Sequence, residues 1–387
     1  MSVTLRGLLV SILLAAAAAQ ASDLSSEIRT VERLRQRSFL HKVDHRTVTR
    51  EELPAILRQQ MLKSMPVSPD DYIVVLRALQ LVDDDPHLLD KLLDLYQEQI
   101  LAFYDPLAHV FYSLDKPPPA LEGAELPMLE ESVAVHELTH ALQDQRFGAG
   151  EKLERIQGDW DAELAYDSLI EGEASLVMMA AILDKGGRSL DEVMQNDFLL
   201  NALKNAGASD RTIPAGSPRY FVESMKFPYL DGLAFVIDAY RRGGWAALDR
   251  VHANPPRTTR EILHPAEYFA RVAADPKAVP SNLPPTIPGT LVVEHLGEFH
   301  WRFLLGEAAS TGWVSDSATV VQNARCETSV LVLTQWESEA DAATFLQAYL
   351  AFLRDRGIDA RSQRNGTWAG VAYGADPSVL ARIGAKE

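Results

Sequence analysis

The stretch "SVAVHELTHALQDQRF", residues 132–147, sets His136 and His140 four apart, with Glu137 directly after the first histidine. Val135, Leu138, Thr139, Ala141 and Leu142 are all uncharged and no proline interrupts the run, so it predicts a helix buried beside whatever the histidines hold. On a helix, positions i and i+4 share a face, with Cβ atoms about 5–6 Å apart. Two imidazoles in that relation can converge on one metal ion. Glu137 is turned roughly 100° from His136 about the helix axis. From there it can flank the ion without ligating it and take a proton from water. Zinc brings the pKa of a water it binds to around 7, which makes hydroxide available at neutral pH. The motif therefore predicts a Zn²⁺ site with His136 and His140 as ligands and Glu137 as general base.

The remaining composition narrows the donor set. Cys326 is the only cysteine, which excludes an internal disulfide and a Cys-rich zinc finger. Any metal must be held by histidines and carboxylates. The formal net charge of −17 argues against nucleic acid, whose recognition favours Lys/Arg stripes. At the N-terminus, Arg6, the apolar run "LLVSILLAAAAA" and Ala19-Gln20-Ala21 read as a signal peptide over residues 1–21, too short to serve as a membrane anchor. The chain is thus expected to be exported, periplasmic or secreted, and to begin at Ser22 with no anchor.

Residues 22–100 read as helices, opened by a Thr49/Glu52 capping box, by Ser68-Pro69 and by Asp85-Pro86. "AFYDPLAHVFYSLD" reads as a hairpin about Asp105-Pro106, and the motif helix should end at Gly148. A second long helix is expected over roughly 160–184, with more around 230–242 and 244–253. Residues 274–290, "ADPKAVPSNLPPTIPG" in their main part, have a linker's proline content. Beyond them "TSVLVLTQW" and "GTWAGVAYG" read as strands flanking an amphipathic helix. The fold class is therefore α+β: a mostly helical core over 101–273 and a small α+β unit over 291–387.

The other histidines predict less. His41 and His45 fall where seven Arg or Lys lie between positions 29 and 50, which reads as a solvated basic face. His295 and His300 are five apart and suit packing. A third zinc ligand is needed, but six residues after His140 stands Arg146. "LIEGEAS" on the second long helix offers Glu171 and Glu173, about 200° apart, so only one can face the metal. Periodicity does not choose between them. The plain alternative leaves one of the two exposed at the surface. Gly172 between them lowers helix propensity, and close approach of a neighbouring helix is a reason to tolerate it.

With these residues in view, the chain resembles the gluzincin branch of zincin metallopeptidases. It is more closely similar to a group of exported bacterial and archaeal proteins carrying "FYDPLAHVFY", "HELTHALQDQ", "LIEGEAS", "FPYLDGLAF", "NPPRTTREILHPAEYF" and "TQWESEADAATF". The resemblance implies a zincin-like core and peptide or protein substrates. It also implies Glu171, which stands directly before a glycine, as third ligand, with Glu173 second. Tyr229 and His264 are candidates to steady an oxyanion. The group's usual Gly-Asp pair is replaced here by Ser315-Asp316, in the C-terminal unit. The rival expectation is a catalytically silent zinc-binding scaffold or partner-binding protein.

Overall fold

The computed structural model describes residues 9–10, 24–64, 67–100, 102–116, 126–195, 216–274 and 288–375. The expected leader, apart from Leu9–Val10, and most of the expected linker lie outside them. The fold is α+β, with two sheets. In chain order the first elements are β1 (Leu9–Val10), α1 (Ser25–Arg35), β2 (Asp44–Val48), α2 (Leu53–Ser64), α3 (Pro69–Ala78) and α4 (Leu88–Gln99). There follow β3 (Ala102–Asp105), β4 (Val110–Leu114), α5 (Leu126–Phe147), α6 (Ala149–Arg155), α7 (Trp160–Lys185) and α8 (Leu190–Met194). Next come α9 (Arg219–Phe227), a π-helical turn (Pro228–Gly232), α10 (Leu233–Arg241), α11 (Gly244–Ala253), α12 (Thr259–Leu263) and α13 (Pro265–Ala274). The C-terminal unit holds β5 (Thr290–Glu294), α14 (Gly297–Leu305), α15 (Glu307–Ser310), β6 (Trp313–Gln322), β7 (Thr328–Trp336), α16 (Glu339–Asp355), β8 (Ala360–Asn365) and β9 (Trp368–Gly374).

Local chemistry sets the boundaries. Glu52 Oε2 accepts from Thr49 N while Thr49 Oγ1 accepts from Glu52 N, so the reciprocal capping box before α2 is present. Ser68 Oγ accepts from Asp71 N ahead of α3, whose first residue is Pro69. Asp105 Oδ1 accepts from Leu107 N and Ala108 N and closes the β3–β4 hairpin. Gly148, at φ 64°, breaks α5 from α6.

The small sheet runs β1-β3-β4-β2, and β2 joins it parallel to β4. This strand corrects the helical reading of residues 22–100. It also corrects the solvated face assigned to His45, which is half-buried on β2, stacks on Phe111 and bonds Ser113 Oγ through Nε2 at 2.8 Å. The sheet's two faces meet different hydrophobic clusters, as the twofold alternation of a strand requires. Ala102, Tyr104 and Phe111 join α1, α5, α7, α10 and α11. Phe103 and Leu114 join α2–α4 and the C-terminal sheet. The N-terminal helices are thus divided between two cores: α1 packs on the motif helix, and α3 reaches the C-terminal sheet, where Tyr373 Oη donates to Ala78 O.

The C-terminal sheet runs β5-β6-β7-β9-β8, with every neighbour antiparallel. β7, α16 and β9 occupy the segments expected of them. His300 is buried, with Nδ1 on Leu296 O and Nε2 at 3.0 Å from Tyr220 Oη, and His295 Nδ1 pairs with Asp159 Oδ2 at 2.8 Å. Both histidines therefore serve packing. Cys326 is free and exposed in the β6–β7 turn. Among the described residues no helix is long and apolar enough to cross a membrane.

α7 is buried along most of its length, unlike an amphipathic surface helix, because α1, α5, α10 and the π-helical turn all pack on it. Gly172 permits the closest of these contacts. A Cβ there would stand 2.5 Å from the Gly232 carbonyl oxygen, and one at Gly232 would strike the Ser168 carbonyl. Backbone meets backbone, and Tyr229 is thereby brought against α5.

Candidate metal centre

Two helices build the site. α5 carries His136 and His140 on one face, and their rings sit edge to face with centroids 4.7 Å apart. α7 presents Glu171 to both: its Oε2 lies 3.1 Å from His136 Nε2 and 3.4 Å from His140 Nε2. Glu137 stands beside them, with one possible ligand atom each from His136, Glu137 and His140 all within 4.8 Å of one another. Its Oε2 accepts the backbone N–H of Tyr104 on β3 at 2.8 Å, which ties it to the hairpin. His136, Glu137 and His140 are completely buried and Glu171 is 5% exposed.

The two glutamates of "EGE" separate as their angular spacing demands, but neither is at the surface, so the expectation of an exposed partner is corrected. Glu173 is buried on the far side of His140. It accepts from Arg35 Nε at 2.5 Å, from Gln143 Nε2 at 2.7 Å and from His252 Nε2 at 2.5 Å. A carboxylate so fully bonded has its charge matched without a metal ion. Glu171, with only imidazoles before it, does not.

Gln143 decides the tautomer of His140. Its amide nitrogen donates to two oxygens that can only accept, Ile170 O at 2.9 Å and Glu173 Oε2. Its Oε1 must therefore accept, and the partner 3.0 Å away is His140 Nδ1. A neutral His140 thus carries its proton on Nδ1 and a lone pair on Nε2. That nitrogen is buried, has no hydrogen-bond partner, and faces the Glu171 carboxylate. Two acceptors oppose each other in a buried site, an arrangement that a cation between them would relieve. The donor set of two imidazoles and a carboxylate suits zinc, so the residues present fit the ion.

Electrostatics divide the acids. Burial pushes the Glu171 carboxyl up, and the imidazoles of His140 and His136 draw it down in any form in which they are cationic or donate to it. Burial, then the neighbouring charge of Glu171, raises Glu137 well above the ordinary carboxylate range, against the opposing Tyr104 N–H. Burial pulls His136 below its ordinary value, which keeps it neutral and able to ligate. The half-buried Tyr229 stacks its ring on His136, centroids 6.2 Å apart, at the π-helical turn; such turns recur at functional sites. The other oxyanion candidate, His264, is instead bonded through Nε2 to Glu298 on α14 at 2.8 Å.

Sequence reasoning missed Gln143, Arg35 and His252. Only Gln143 left a local signal, lying three residues after His140 on the same helical face. A family model described as a domain of unknown function (DUF8575) matches residues 285–384, the C-terminal unit. No curated protein and no solved structure matches the chain.

Proposed function

We propose that the protein is an exported zinc-dependent metallopeptidase in which His136, His140 and Glu171 hold the ion and Glu137 is the general base. The observation that carries this reading is the buried lone pair of His140 Nε2 facing the Glu171 carboxylate. When bound, zinc supplies Lewis acidity, lowering the pKa of a water to around 7 and polarising a carbonyl. Glu137, with its raised pKa, accepts the proton of the attacking water and passes it to the leaving amine nitrogen. Its hold on Tyr104 N–H fixes the carboxylate relative to β3. Tyr229, whose ring stacks on His136, is the oxyanion donor in this reading.

A peptide substrate is supported by β3. Its outer edge pairs with β1, Leu9↔Tyr104 and Val10↔Phe103, within the expected leader. Removal of the leader would leave that edge open for an extended chain to add as a strand. N-terminal sequencing of exported protein is expected to start at Ser22. Retention of residues 1–21 on a membrane-bound species would contradict both the cleavage site and the open edge.

Incubation with denatured protein and with a peptide library, each with and without chelator, tests the activity. Cleavage that chelator abolishes is expected, and none across varied substrates would leave only a zinc-binding scaffold. Acid should also release the metal. Ligation requires neutral imidazoles and an ionised Glu171, so acid acts on the site first by protonating the histidines. Because burial lowers the His136 pKa, its native state resists protonation at the ordinary imidazole value. Zinc is therefore expected to stay bound at pH 7 and to leave below about pH 6.5. Metal content after dialysis across that range checks it, and retention independent of pH would count against histidine ligation.

A further inference from the structure

We infer that Gln143, Glu173 and Arg35 form a positioning chain that locks the tautomer of His140, and that α1 is thereby a built-in part of the metal site. The inference rests on the zinc reading above. It begins with two bonds: Gln143 Oε1 accepts from His140 Nδ1 at 3.0 Å, and its amide nitrogen donates to Glu173 Oε2 at 2.7 Å. Were Gln143 to turn its amide over, its NH₂ would face Nδ1, draw the proton to Nε2 and remove the lone pair a metal needs. Glu173 and Ile170 O prevent that turn by demanding two donors from the same nitrogen.

Glu173 must stay ionised and fixed for this to work, in a place completely closed to water. Isolated, such a charge would be strongly unfavourable. Arg35, 1% exposed, supplies the countercharge through Nε and is itself held by Asp249 Oδ1 at 2.7 Å. Its guanidinium lies 5.0 Å from the Trp245 ring centroid and 5.7 Å from that of Phe147. His252 adds a second donor to Glu173 and stacks on Phe147 with centroids 4.1 Å apart. Arg35 is the last residue of α1, 138 positions before Glu173. The metal-ligating end of α5 is therefore ordered by a residue from the first helix of the described chain.

Partners that orient a ligating histidine typically contribute about 10–100-fold to metal affinity. The test uses the full chain and zinc alone, with affinity read by competition against a chromophoric chelator. Gln143→Met, close in volume and without an acceptor, is expected to weaken zinc binding by about 10–100-fold. Arg35→Met should act in the same direction by stranding the Glu173 charge. The double variant Arg35→Met/Glu173→Gln strands none and leaves an amide oxygen for Gln143, so it should recover to within about threefold of the parent. Nitrogen-15 shifts of His140 in the metal-free parent should show the Nδ1–H form. A parent holding the Nε2–H form, or a folded Gln143→Met with parental affinity, would overturn the lock while leaving the zinc reading intact. A parent that binds no zinc would overturn both.

Discussion

Glu137→Gln is expected to cut peptide hydrolysis by about 10²–10⁴-fold while the variant retains its zinc. The amide keeps the size of the side chain and an oxygen to accept Tyr104 N–H, so the hairpin stays in place. What it loses is basicity. In the parent, burial and the charge of Glu171 raise the Glu137 carboxyl above its ordinary range, closer to the pKa of the proton it must accept. No amide can replace that function near neutral pH. The two metal-directed nitrogens and Glu171 are untouched, so metal content should remain near one zinc per chain. Rates under single-turnover conditions, read beside metal analysis, separate the two quantities. Cleavage at the parental rate would remove the peptidase mechanism.

Much of this geometry was legible in the sequence because it is local. The i,i+4 histidines, the intervening glutamate and the hairpin about Asp105-Pro106 each depend on spacings of a few residues. The edge strands were not legible, for a physical reason. β2 and β8 end their sheets, pair on one side only, and carry mostly exposed polar side chains, "DHRTV" and "ARSQRN". Such strands lack the apolar alternation that marks a half-buried strand and have the polar character that protects a sheet edge. Nor could periodicity separate Glu171 from Glu173, since α7 is buried on all sides and has no polar face to exclude either. The choice is made by partners distant in sequence: Arg35 and His252 claim one glutamate, and the histidines of α5 face the other.

Glu171→Gln should behave in the opposite way to Glu137→Gln, losing metal first and activity as a consequence. The carboxylate faces both Nε2 atoms, at 3.1 and 3.4 Å. A glutamine there removes the negative charge that attracts a dication. It also offers N–H donors to the His140 lone pair, so the protein can satisfy internally the acceptor that a metal would otherwise claim. Zinc content after dialysis should therefore fall well below one per chain. Excess zinc in the assay should restore part of the activity by mass action, which it cannot do for Glu137→Gln. The comparison discriminates because both glutamates stand beside the histidines and differ only in what else holds them: Tyr104 N–H for Glu137, nothing but imidazole for Glu171. If Glu137→Gln empties the site and Glu171→Gln keeps its metal, the two residues exchange roles.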